Sequence, residues 1–468
     1  MSHTFILDIG KTNIKGLVLD DEGATCWSKS RGNTVDATGA YPHFDIEGIW
    51  AWLLEALAAA ASIHTIDAIN VSTHGACAVL LDDRGALALP VMDYESTLPE
   101  DCNDSYNTTR PAFAYSLSPS LPAGLNLGRQ LWWQRQQFPA DFAQVATLLF
   151  YPQYWVWRLC GRAASERTSL GCHTDLWLPE GDGYSTLIDT LGLGHSLPPM
   201  IDTRACAGRI TAEVAAATGL QDHCRVYAGV HDSNASFARY LASANSLGSA
   251  NNSQASAFTV VSTGTWFVSM TQGGDCKAMD ETRDMLANVD VTGGALRCAR
   301  FMGGREYEAI CVQPDGGESE LSPDAIQQLV VDRVYALPAF ASAGPFNGLQ
   351  GSVIGRPSSN TALASLYLAL MVDYELDLLN ASGDVLFGSL GRRNPLLCQL
   401  LAALRPAQQI LISGDEASTA RGAWCLTRWE EPVPAAMNVF KTAPGLTIEG
   451  LADYKNRWRD QLPGAHFS

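Results

Sequence analysis

With 468 residues, 47% hydrophobic and 17% charged, the chain is too long for one core and has the composition of a globular protein of two domains. Its formal net charge of −18 repels a phosphate backbone, which argues against DNA or RNA as a partner. A small anion held by local donors and a metal stays compatible with it. The longest apolar stretch, Ile49 to Ile63, is broken by Glu55 and too short for a bilayer, so no membrane partner is expected. The opening MSHTFILDIG has neither the basic nor the long apolar region of a secretory leader, and the twelve cysteines form no C-x-x-C pair. Reduced thiols in a cytoplasmic protein are the expectation.

The opening stretch, FILDIGKTNIKGLVLDDEG from Phe5 to Gly23, reads as a hairpin. Phe5, Ile6 and Leu7 form one apolar strand, and Ile14, Leu17, Val18 and Leu19 resume a second. The connection carries Gly10, Lys11, Thr12 and Asn13, short polar residues beside a glycine, which let backbone N–H groups and hydroxyls converge on an anion. Asp8, at the mouth of the turn, offers carboxylate oxygens to a hydrated Mg²⁺. Lys15 alternates to the polar face, where an ammonium could meet a phosphate, and the other reading of the stretch is an ordinary first hairpin with a polar turn. Phe5 stands five residues before Gly10, where a P-loop needs its first glycine, so this is not a P-loop.

A third strand is expected near Cys26 to Lys29, then a helix from Gly48 to Ala61 capped by Asp45. Asp67 to Ser72 is a strand ending at Thr73-His74-Gly75. Ala76 to Leu81 and Ala86 to Met92 read as strands joined by a turn, followed by Asp93-Tyr94-Glu95-Ser96. Pro99 to Gly124, rich in Ser, Pro, Asn and Thr, reads as a long surface excursion suited to a lid or to a homodimer contact. Leu125 to Gln137 and Pro139 to Leu149 read as helices, and a further apolar segment, Tyr151 to Leu159, ends at Gly161. The strand Arg225 to Val230 ends in His231-Asp232-Ser233-Asn234, which opens a helix.

Ala242 to Ala257 is rich in Ser, Asn, Ala and Gly, a composition suited to a hinge. Beyond it, Phe258 to Ser262 and Phe267 to Met270 flank Thr263-Gly264-Thr265, a second strand–polar turn–strand hairpin. Arg300 to Ile310 carries a helix start at Gly303-Gly304. Ser359 to Leu379 is a long helix, Val385 to Phe387 a strand, Pro395 to Leu404 a helix and Glu416 to Trp429 the last major helix. The expected division is 1–244, a linker at 245–257, 258–430, and a C-terminal extension at 431–468.

In this order the pieces resemble the FGGY carbohydrate kinases of the actin-like, RNase H-like ATPase superfamily. FILDIGKTNIKGLVLD is similar to the family's first phosphate hairpin, YWVWRLCG to its Y-x-x-x-x-L-T-G, and GVHDSNAS to the G-x-x-D motif of the catalytic base. The His-Asp-Ser form is similar to rhamnulokinase- and fuculokinase-like members. VSTGTW resembles the second phosphate hairpin, GSLGRRNPLLCQLLA the adenosine site and EASTARGAW the closing helix. The resemblance implies an α/β fold of two actin-like domains with a cleft between them. It implies Asp232 as general base, Asp8 and Asp232 at Mg²⁺, and ATP contacts from Thr12, Asn13, Lys15, Thr263, Gly264, Thr265, Gly391, Arg392 and Asn394. It places His74, Gly75 and Glu95 at the sugar, with Asp93 and His231 as weaker candidates.

Four departures from the family pattern fall near these positions. Lys11 replaces a small residue beside the phosphates, Ser389 and Leu390 replace two adenosine-site glycines, Cys77 stands where rhamnulokinase-like chains have Asp, and Tyr94-Glu95-Ser96 replaces an aromatic-x-Asp-x-Arg pattern. The expected activity is ATP- and Mg²⁺-dependent phosphorylation of a hydroxyl of a small sugar, a pentulose or deoxyhexulose. The alternatives are a polyol kinase of the glycerol or erythritol type and a sugar- or nucleotide-sensing module on the same fold.

Overall fold

The computed structural model describes residues 2–248, 257–312, 321–388, 394–414 and 417–463. The chain forms two compact units. Met1–Ser253, Ala287–Ala295 and Ala417–Asn438 make the first; Gln254–Leu286, Leu296–Glu416 and Val439–Ser468 make the second.

The first unit is built on a sheet whose centre is the opening hairpin, His3–Ile9 with Asn13–Leu19. Thr25–Gly32 extends it antiparallel on one side. On the other side Ile66–Thr73 runs parallel to His3–Ile9, with Asp8 opposite Ser72. Arg225–Tyr227 and Val230–His231 both run parallel to Ile66–Thr73, and His231 lies opposite Thr73. Numbered by appearance, the strands lie in the order 3-2-1-4-5. Alternation along the strands separates two faces. Phe5, Leu7, Ile9, Ile69 and Val71 share one apolar cluster with the helices Ile46–Ala61 and Tyr151–Cys160. Asp45 caps the first of these by accepting from Gly48 N at 2.9 Å.

The opposite face is closed from far along the chain. Asn70 donates to the carbonyl of Ala423 at 2.8 Å, in the helix Ser418–Leu426. That helix lies against Asp232–Gly248 so closely that a Cβ on Gly422 would stand 1.7 Å from the Ala235 carbonyl oxygen. Composition places this helix with the second half of the chain; its small residues instead dock it in the first unit. The helix Asp232–Gly248 also runs into the Ser/Asn/Ala-rich tract expected as a linker, and 249–256 lie outside the described residues.

Three local expectations change. Ala86 to Met92 forms no strand; Ala78–Leu81 pairs with Thr147–Phe150 instead. The helix expected over Pro139 to Leu149 stops at Phe142, because the apolar run after it is a buried strand, which periodicity alone does not separate from a helix. The segment 99–124 is packed rather than loose. Tyr106 is fully buried and donates to Asp175 at 2.5 Å, and Arg110 meets the same carboxylate at 2.7 Å.

The second unit repeats the plan. Phe258–Thr263 and Phe267–Gln272 form its hairpin, Ala295–Phe301 extends it antiparallel, and Asp384–Phe387 and Ile410–Ser413 follow in parallel. Its strand order is again 3-2-1-4-5. Asn360–Leu378 is buried over most of its length. Residues from Val439 onward, expected as an extension, belong to this unit. Phe440–Thr442 joins the sheet, and Leu451–Asp460 docks with Trp458 donating to the Ala336 carbonyl at 2.8 Å. Beneath it the fully buried Asp373 meets Arg405 at 3.1 Å, Lys455 at 2.7 Å and Arg459 at 2.6 Å. Among the described residues no helix is long and apolar enough to cross a membrane.

Candidate active site

Three adjacent parallel strands of the first unit end side by side. His3–Ile9 delivers Asp8, Ile66–Thr73 delivers His74, and Val230–His231 delivers His231 and Asp232. The carboxyl ends of parallel strands are where such sheets gather ligand-binding groups. Burial, and after it the charge of Asp232, push the Asp8 carboxyl up to about 7; Lys15, its partner on the neighbouring strand, acts the other way. A buried carboxyl raised in part by a neighbouring carboxylate suits a divalent cation, which removes the conflict.

Asp232 opens its helix with a side chain one third exposed. Its Oδ1 accepts from Ser233 N at 2.6 Å and lies 3.2 Å from His231 Nε2. Its Oδ2 has no hydrogen-bond partner among the described residues. His231 is buried. Its Nδ1 meets Asn234 Oδ1 at 2.8 Å, and its Nε2 lies 3.5 Å from Cys172 Sγ. Burial opposes a charged ring here, yet the Cys172 sulfur and the Asp232 carboxylate outweigh it and push His231 up to about 10. Burial likewise opposes a thiolate at Cys172, and His173 and His231 outweigh it, bringing the thiol down to about 6. The backbone N–H of His231 donates to Thr168 Oγ1 at 3.0 Å, and that hydroxyl donates to the buried Glu166 at 2.6 Å. Gly75 lies against this group: a Cβ there would be 3.0 Å from His231 Nε2.

His74 is enclosed by the rings of Phe44, Tyr94 and Tyr151 at 5.1–5.2 Å between centroids. Its Nδ1 meets the Gly75 carbonyl at 3.0 Å, so that nitrogen carries the proton. Its Nε2 is buried with no partner. Burial lowers its pKa, so the ring is neutral and Nε2 is an acceptor. Cys77 packs beside it, Sγ 3.9 Å from Nδ1.

Lys11 does not stand free beside a phosphate site. Its ammonium pairs with Asp93, lies 3.4 Å from Glu95, and covers the rings of Phe44 at 5.3 Å and Tyr94 at 5.0 Å. Asp93 is buried, whereas the Glu95 side chain is 64% exposed. The expected order of the two carboxylates is therefore reversed: Asp93 is the one held in the cluster.

Each hairpin presents its turn outward. In the first, Thr12 and Asn13 are exposed, and Asn33 ties the turn through Gly10 O at 2.9 Å and Thr12 O at 2.8 Å. In the second, Gly264 and Thr265 are exposed, and Thr263 Oγ1 is buried without a partner. Gly304 backs that turn; a Cβ on it would lie 2.4 Å from Gly264 O. Of the adenosine-side residues, Gly391 and Arg392, with Ser389 and Leu390, lie outside the described residues. Asn394 caps the helix Pro395–Leu404 through Leu397 N at 3.1 Å and donates to Ser365 at 2.9 Å, so its amide is engaged within the unit.

Sequence reasoning missed Cys172, Asn234 and the Glu166–Thr168 support. Asn234 was legible as a polar residue one helical turn after His231. Cys172 carries no local signal, since 59 residues separate it from His231.

Comparison with known proteins bears on the fold and the family. Residues 3–238 match the N-terminal domain of the FGGY family of carbohydrate kinases, and residues 255–435 match "Carbohydrate kinase FGGY, C-terminal domain". A carbohydrate kinase from Novosphingobium aromaticivorans is 33% identical, covers 98% of both chains and superposes with a TM-score of 0.87. A ligand-bound xylulose kinase from Lactobacillus acidophilus shares the fold, with a TM-score of 0.79 at 15% identity over 98% of this chain and 96% of that one. L-fuculokinase of Salmonella typhi is 23% identical over 72% of this chain and 70% of its own length. Two α/β units of one strand order, each matched by a carbohydrate-kinase domain, are those of a sugar kinase. The chain belongs to the FGGY family of carbohydrate kinases, enzymes that use ATP.

Proposed function

We propose that the chain transfers the γ-phosphoryl group of ATP to a hydroxyl of a small neutral ketose, a pentulose or a deoxyhexulose, with Asp232 as general base. The observation that carries this reading is the meeting of Asp8, His74 and the His231–Asp232 pair at three neighbouring strand ends. Asp232 Oδ2 accepts the proton of the attacking hydroxyl while His231 holds Oδ1, and the oxygen forms its bond to phosphorus as ADP leaves. Phosphoryl transfer asks mainly for positioning and charge stabilisation, so a carboxylate that takes the proton late suffices. His74 Nε2 accepts from a neighbouring hydroxyl, and the Lys11–Asp93 pair supplies a donor and an acceptor beside the Phe44 and Tyr94 rings. Such a pocket, with its cation already neutralised, suits a neutral sugar.

Each hairpin by itself suits phosphate: Thr12, Asn13 and Lys15 in the first, and Thr263, Gly264 and Thr265 in the second, would supply donors to ATP. Asp8 and Asp232 would hold Mg²⁺, which when bound supplies charge neutralisation at the triphosphate. The test is a coupled ADP-release assay over pentuloses, 6-deoxyhexuloses and polyols. A ketose turned over by the wild type and not by Asp232→Asn supports the reading; turnover only of glycerol or erythritol overturns it.

A further inference from the structure

At the opposite end of the first sheet, three residues from separate segments come together. His3 begins the first strand, Cys26 lies at the start of the third, and His64 precedes the fourth. One ligand atom from each, an imidazole nitrogen or the Cys26 sulfur, lies within 4.8 Å of the others. We propose that His3, Cys26 and His64 form a Zn²⁺ site that staples the sheet together at this end, with water completing a tetrahedron.

Four observations support it. The His3 and His64 rings lie with centroids 4.8 Å apart at 49°, side by side rather than dispersed into solvent. His3 Nδ1 lies 3.2 Å from the Thr65 carbonyl, an atom that only accepts. Nδ1 therefore carries the proton and Nε2 keeps its lone pair, the orientation that a carbonyl behind a metal-bound histidine imposes. Cys26 sits on a β-bulge: Val18 faces Trp27 and Leu19 faces Thr25, which leaves Cys26 without a partner in the ladder. Bulges of this kind re-aim a side chain. Finally, the surroundings are acidic. Asp67 accepts from the backbone N–H of His3 at 3.3 Å, and Asp20 adds negative charge that favours a dication, although burial and then that charge raise the Cys26 thiol and must be offset by the metal.

Two imidazoles and a thiolate match Zn²⁺, which binds nitrogen at about 2.0–2.1 Å and sulfur at about 2.3 Å. A tetrahedron of those bonds needs ligand atoms roughly 3.3–3.7 Å apart, a small adjustment for one exposed and two half-exposed side chains. Binding forms the zinc–sulfur bond and releases the thiol proton to water, with no change of oxidation state. The site is separate from the catalytic one. Asp8 lies five positions after His3 along one strand, about 17 Å at the strand rise.

The test uses the full-length protein, stripped with a chelator and titrated with Zn²⁺ alone, then with Co²⁺ as a spectroscopic probe. The expected result is one Zn²⁺ per chain, a thiolate-to-cobalt charge-transfer band, and a higher melting temperature with zinc. Cys26→Ser should abolish the band, and His64→Gln should weaken binding roughly tenfold or more. Both should leave kinase turnover with saturating substrates unchanged. Absence of stoichiometric binding overturns the proposal, as does binding that both variants retain at wild-type strength.

Discussion

His231 Nε2 stands 3.2 Å from an oxygen of Asp232, its neighbour in sequence, while its other contact on that side is the Cys172 sulfur at 3.5 Å. The ring thus fixes one carboxylate oxygen and leaves the other to the substrate. Asp232→Asn should keep sugar and ATP binding and lower kcat by roughly 10²–10⁴-fold, the usual contribution of a general base. Near-normal kcat in that variant would remove Asp232 from this role.

Cys172 is the neighbour that does most to raise His231. Cys172→Ala should therefore lower the His231 pKa from about 10, observable as an earlier imidazole titration by NMR. Lost upward influence means that the ring deprotonates at lower pH, so the alkaline limb of kcat should move down with it. An unmoved titration would mean that Asp232 and Asn234 sustain the charge on His231 without Cys172.

His74→Ala and Asp93→Asn should each raise KM for the sugar about tenfold or more and leave KM for ATP nearly unchanged, since a lost buried partner costs about 1–3 kcal/mol. Glu95→Ala, at a side chain 64% exposed, should shift KM far less. Equal effects at 93 and 95 would show that exposure does not rank the two carboxylates.

Thr12→Val and Thr265→Val should each weaken nucleotide binding roughly three- to tenfold, the effect of one neutral hydrogen bond. Calorimetry with a non-hydrolysable ATP analogue measures this. Unchanged binding in either variant removes that hairpin from the nucleotide site.

Asp8 links stability to pH. Its folded-state pKa of about 7 exceeds the ordinary value of 3.8, so over that interval the folded protein binds more protons than the unfolded chain. Its contribution is most favourable below pH 3.8 and is lost as pH rises through about 7. In metal-free buffer, Asp8→Asn should gain urea resistance relative to wild type at pH 8 and little at pH 4. The reverse ordering would contradict a buried, charge-strained Asp8.

The parts of the site that lie in one short stretch were legible. Asp8 with Thr12 and Thr263 with Thr265 interrupt apolar runs, and a polar interruption of a strand is a local signal. The strand ends at His74 and Asp232 were legible for the same reason. Pairings across the chain were not. Lys11 finds Asp93 82 residues away, and Cys172 finds His231 across 59, so neither Lys11's neutralisation nor the order of Asp93 and Glu95 could be read from spacing. Thr147–Phe150 reads as helix because its three apolar residues, Leu148 to Phe150, fit a helix turn as well as a buried strand.

The contact between Asn70 and Ala423 spans 353 positions. During synthesis the sheet face around Asn70 emerges early, but the helix that covers it emerges only when nine-tenths of the chain has been made. At about 5–20 residues per second, that face waits tens of seconds on the ribosome without its lid. The first unit is therefore begun first, yet it stays open until most of the second has been made. A fragment ending after the helix Asp232–Gly248 should expose an apolar surface and depend on chaperones to stay in solution.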